Sequence, residues 1–73
     1  MITVTLRIEV PPERHAEVLK TTRLIMGPTR VMPGCISCRF YKDTENPNIM
    51  TLLEEWESQS DLDQHIRSDD YRK

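Results

Sequence analysis

Apolar and polar residues alternate strictly at the start of the chain. Ile2, Val4, Leu6, Ile8 and Val10 fall on one side of an extended backbone, with Thr3, Thr5, Arg7 and Glu9 on the other. This period of two predicts a strand with one buried face. Pro11-Pro12 stops it, because proline has no amide proton for a ladder and suits a first helical turn, where Glu13 meets the positive end of the dipole. From about Glu13 to Met26 the period becomes helical, with Ala16, Leu19, Arg23 and Met26 on one stripe and Val18, Thr22 and Ile25 beside it. Gly27-Pro28 is expected to interrupt this helix, with a further turn reaching Val31 before Pro33-Gly34 redirects the chain.

Cys35 to Lys42 reads as a second strand, with Ile36, Cys38 and Phe40 toward the core and Ser37, Arg39 and Tyr41 away from it. Asn46-Pro47-Asn48 marks a turn into a third strand, Ile49 to Trp56, giving an antiparallel hairpin. That third strand is apolar on both faces, Ile49 and Leu53 on one, Met50, Leu52 and Trp56 on the other. Cover on both sides is therefore expected, helices on one and a second subunit on the other. Ser58 or Ser60 can cap a final helix in which Leu62, His65 and Ile66 recur at i, i+3, i+4. The order strand, helix, strand, strand, helix is that of an α+β, ferredoxin-like split βαβ unit with an antiparallel sheet, short of its final strand. In this arrangement Trp56 and His65 face the same space under the sheet.

The sequence has 73 residues, so one domain spanning 1–73 is expected. A domain this small buries only about 60% of its unfolded surface, which favours support from a second copy. Charge is unevenly spread: residues 1–42 carry seven basic and three acidic side chains, residues 43–73 three basic and nine acidic. Such polarity can steer an acidic ligand or help two chains meet. There is no basic run and few aromatics, which argues against nucleic acid. No apolar run approaches the roughly 20 residues of a membrane helix, and a cytoplasmic location, with two free thiols in a reducing compartment, is the expectation.

Few residues are equipped for chemistry. His65 can exchange a proton near neutrality. Trp56 is a flat wall or a core anchor. Arg7, Arg39 and Tyr41 point away from the helices, where pairing with Glu9, Glu54 or Glu55 across an interface is the leading expectation and anion binding by Arg39 the lesser one. Cys35-Ile36-Ser37-Cys38 has the C-x-x-C spacing, but a strand lacks the helix N-terminus that activates such a thiol and would send the two side chains to opposite faces. No ligand spacing for a metal is evident, and Glu54, Glu55, Glu57, Asp61 and Asp63 read as a solvated rim and helix-start charges.

Two segments carry a resemblance. Trp56-Glu57-Ser58, the spaced residues Leu62, His65 and Ser68, and the terminal aromatic Tyr71 form one; Pro33-Gly34-Cys35-Ile36-Ser37 leading into Arg39, Phe40 and Tyr41 forms the other. Together they resemble the antibiotic biosynthesis monooxygenase family. The resemblance implies a dimeric α/β barrel whose fourth strand lies beside the first. It also implies a cofactor-independent monooxygenase, with neither cofactor nor metal, acting on a small aromatic or quinol-like molecule and dioxygen. In that reading His65 helps deprotonate the substrate, and Trp56 with Leu6, Ile36, Phe40 and Leu62 holds it dry. Haem-degrading relatives share a Trp at the position of Trp56, but they use an Asn on the first strand, which this chain lacks. The alternative is a non-catalytic dimeric α+β barrel module that binds a small apolar ligand. An isomerase, or an enzyme acting on a small signalling molecule, would use the same pocket.

Overall fold

A computed structural model of the protein describes residues 1–67, so Ser68 and Tyr71 of the C-terminal motif lie outside the described residues. Strand β1 is Ile2–Glu9, helix α1 His15–Arg30, strand β2 Cys35–Lys42, strand β3 Ile49–Trp56 and helix α2 Gln59–Arg67. A short 3-10 turn, Pro12–Arg14, leads into α1. The strands form an antiparallel sheet in the order β1-β3-β2, as the alternation and the turn residues predict.

The register defines which side chains share a face. Ile2, Trp56 and Cys35 form one cross-strand row, Val4, Glu54 and Cys38 the next, and Leu6, Leu52 and Phe40 a third. Helix α1 packs chiefly over β2 and α2 over β3, and the core between helices and sheet is built from Met26, Cys38, Met50, Trp56 and Leu62. Burying these side chains supplies the main drive to fold, at about 25 cal/mol per Å² of apolar surface. Leu6 remains half exposed on the outer strand β1.

Two local features differ from the sequence reading. Helix α1 runs through Gly27-Pro28 to Arg30 without a break. Pro28 sits in the last turn, where its missing amide costs one bond to the carbonyl of the exposed Leu24. The end is then closed by Val31 and Met32 amides donating to the Pro28 and Thr29 carbonyls at 3.3 and 3.1 Å, and by the Thr29 hydroxyl donating to the Ile25 carbonyl at 2.9 Å. The second difference is a β-bulge: the ladder is irregular between Cys35 and Ser37, leaving Ile36 unpaired. One extra residue reverses the alternation before it, so Cys35 and Cys38 share the helix side instead of opposing each other, and Ile36 is 50% exposed.

The junction between β3 and α2 is held by side chains. Ser58 is the cap: its hydroxyl accepts the Asp61 amide at 3.2 Å and donates to the Asp61 carboxylate at 2.8 Å. Gly34, at φ +83°, accepts the Glu57 amide at 2.9 Å, and a β-carbon on it would fall on the Asp61 side chain. Helix α2 therefore starts at a defined height against the sheet.

Candidate functional site

That defined start places His65 over the last inward residues of β3. Glu54 and Trp56 are two apart on the strand and so point to the same side. The Trp56 indole donates from Nε1 to Glu54 Oε1 at 3.0 Å, and the His65 ring stacks on the indole, centroids 4.8 Å apart and planes 26° apart. His65 Nε2 lies 3.7 Å from the same Glu54 oxygen. Exposure is 0% for Trp56, 2% for His65 and 4% for Glu54. A carboxylate so far from water must be compensated, and the indole N–H with the imidazole beside it are positioned to do so. The three residues form one enclosed unit that links β3 to α2.

A cavity of about 130 Å³ adjoins this unit between α1 and the sheet. Leu6, Ile8, Ile25, Met26, Phe40 and Leu52 supply its apolar walls, and Glu54 and Cys38 its polar edge. Of the residues expected to enclose a ligand, Leu6 and Phe40 line this cavity. Ile36 does not, because the bulge turns it to a separate outer groove beside Arg30. Leu62 is buried on α2, outside the lining. Trp56 and His65 stand behind Glu54, so Glu54 is the titratable carboxylate that meets the cavity.

Glu54 was legible only in part. Reading it as solvated rim missed that it stands two before Trp56 on the inner face, in the same alternation that buries Met50 and turns Leu52 inward. Its burial also removes it from pairing with Arg7 or Arg39 across the open face. There Glu55 instead accepts the Ser37 hydroxyl at 2.7 Å.

The thiols are not activated. Burial, reinforced by the nearby Glu54 carboxylate and by Cys35 and opposed by Arg30, pushes the Cys38 thiol up to about 11. Burial and Glu54 also raise Cys35. Both stay protonated at neutral pH, which argues against a redox C-x-x-C. Among the described residues no group of three or more His, Cys, Asp or Glu side chains is placed to hold a metal ion, and no helix is long and apolar enough to cross a membrane.

Comparison with known proteins agrees with this architecture. The antibiotic biosynthesis monooxygenase family matches over residues 1–73. A crystal structure of a conserved Methanosarcina mazei protein superposes with a TM-score of 0.92 at 38% identity, covering 96% of this chain and 69% of that one. An antibiotic biosynthesis monooxygenase structure superposes at 0.88 with 26% identity over 100% of this chain and 77% of its own. An uncharacterised Synechocystis protein is 33% identical over 92% of this chain, and the chain spans about half, 46%, of that relative's length. With its ferredoxin-like sheet and buried Trp56 unit, the chain belongs to the antibiotic biosynthesis monooxygenase family.

Proposed function

We propose that the protein is a cofactor-independent monooxygenase of a small hydroxyaromatic substrate. The observation that carries this reading is the buried Glu54 carboxylate, which edges an apolar cavity on one side and meets His65 and Trp56 on the other. Size narrows the substrate class. A cavity near 150 Å³ holds one benzene ring, so the cavity of about 130 Å³ suits a single-ring hydroquinone better than a fused three-ring anthrone.

In the proposed reaction the substrate hydroxyl gives its proton to the Glu54–His65 pair, Glu54 facing the ring and His65 sharing the charge behind it. The electron-rich phenolate then reacts with dioxygen between largely apolar walls. For hydroquinone the balance is one hydroquinone plus one dioxygen giving one hydroxybenzoquinone plus one water. The substrate supplies the electrons and one oxygen atom enters the ring. Trp56 fixes the carboxylate oxygen through its indole N–H and holds the imidazole by stacking.

Oxygen uptake with a panel of hydroquinones and anthrones, parent against His65→Ala, tests the reading. Turnover of single-ring hydroquinones that falls by about 10² or more in the folded variant is expected, the low end of general acid–base effects. Absence of uptake across the panel by the folded parent would count against it.

We also propose that a second copy covers the open face of the sheet, which carries Ile49, Leu53 and Tyr41 among Arg7, Arg39 and Glu55. Sedimentation velocity should show a dimer, and a monomer at high concentration would exclude it.

A further inference from the structure

A second concave surface adjoins the cavity, between α1 and the outer edge of β2 in the described sheet, and its chemistry differs. This groove, of about 560 Å³, is walled by Leu19 and Phe40 and lined by Arg23, Arg30, Arg39 and Tyr41. Arg23 and Arg30 stand seven residues apart on α1 and so share one side of the helix. Arg39 and Tyr41 belong to the outward face of β2, an edge strand, and reach the groove over that edge, at the rim of the face proposed to meet a second copy. Arg30 is held by its Nε donating to the Cys38 carbonyl at 3.0 Å, leaving its terminal nitrogens for another partner.

No acidic side chain lines the groove. Among the described residues, no ion pair neutralises Arg23, Arg30 or Arg39, whereas Arg14 pairs with Glu17 at 3.1 Å. Three cations in one concavity repel one another, and an anion placed among them removes that cost while gaining charge-assisted, two-pronged hydrogen bonds. The volume exceeds what an inorganic ion fills and falls in the range of small-molecule sites. The Leu19 and Phe40 walls suit an apolar body.

We infer that the groove between α1 and the edge of β2 binds a small organic anion, an aromatic carboxylate being the class that matches both its arginines and its apolar walls. Thr22, Met26 and Phe40 line both the groove and the Glu54 cavity, but of the two only the groove is lined by arginines, and the inference stands whether or not the cavity is catalytic.

Amide NMR titration of the full chain with cinnamate tests it, with cinnamyl alcohol and inorganic phosphate as comparison probes. Saturable shifts should concentrate at Leu19, Arg23, Gly27 and Tyr41, which line the groove and not the Glu54 cavity. Arg23→Ala and Arg39→Ala should each weaken cinnamate binding by about tenfold or more, as expected for a charged hydrogen-bonding partner, while their spectra report an intact fold. Both comparison probes should bind more weakly. The inference is overturned by any of four results: no saturable shift, shifts centred on Ile8 and Leu52 instead, affinity unchanged in both arginine variants, or either comparison probe binding as tightly as cinnamate.

Discussion

His65 stacks on Trp56 with ring centroids 4.8 Å apart, one ring carried by α2 and the other by β3, and both are closed off from solvent. Sheet and helix are thus joined by an aromatic pair whose polar edges both meet Glu54. Removing the larger partner empties the centre of the core. Trp56→Ala should lower unfolding free energy by about 3 to 5 kcal/mol, measured by urea titration followed by far-ultraviolet circular dichroism. A loss below about 1 kcal/mol, the scale of a surface substitution, would show that the stack carries little of the fold.

The two glycines should respond to very different degrees. Gly34 has a positive φ and faces the Asp61 side chain, so Gly34→Ala should destabilise by about 1 to 3 kcal/mol and loosen the start of α2. Gly27 lies inside α1 with open space where a β-carbon would go. Gly27→Ala should therefore change stability by less than about 1 kcal/mol, its gain in helix propensity being offset by crowding of the new β-carbon against the Pro28 ring. Thermal unfolding of both variants reads the contrast directly, and equal losses would contradict the assigned conformations.

Stability in alkali should carry the mark of Cys38. Its folded-state pKa is raised above the ordinary 9.0 to about 11, chiefly by burial. The folded state then holds a proton that the unfolded state releases. The associated stability is present in full below about pH 9 and is lost as pH rises through about 11. Cys38→Ala should lack this part of the decline. The stability gap between parent and variant, from urea midpoints across that window, should accordingly narrow as pH rises. A constant gap would mean that Cys38 does not titrate differently in the two states.

Much of this architecture was written in local patterns. The alternation of Ile2 to Val10 and the two-sided third strand are consequences of side-chain period alone, and they predict the sheet, the hairpin and the shared side of Trp56 and His65. What escaped depends on tertiary context. Nothing in Cys35-Ile36-Ser37 announces a bulge, yet that one inserted residue moves Cys35 inward and Ile36 outward. Gly27-Pro28 reads as a break because local propensity disfavours helix there, but α1 continues through it. Glu54 reads as surface because glutamate usually is. Its burial follows from the strand phase set by Trp56 and from two polar partners, one of them on another element.

The pairing of Glu54 with His65 at the cavity edge is the centre of the proposed mechanism, and a double-mutant cycle on turnover tests it most directly. Glu54→Gln, His65→Gln and the double variant would be compared with the parent in oxygen uptake on a single-ring hydroquinone, with folding verified for each. If the two residues act as one proton-accepting unit, each single change should cost about 10² or more, and the double change little beyond either alone. Near-parental turnover in both folded single variants, or losses that simply multiply in the double, would contradict it.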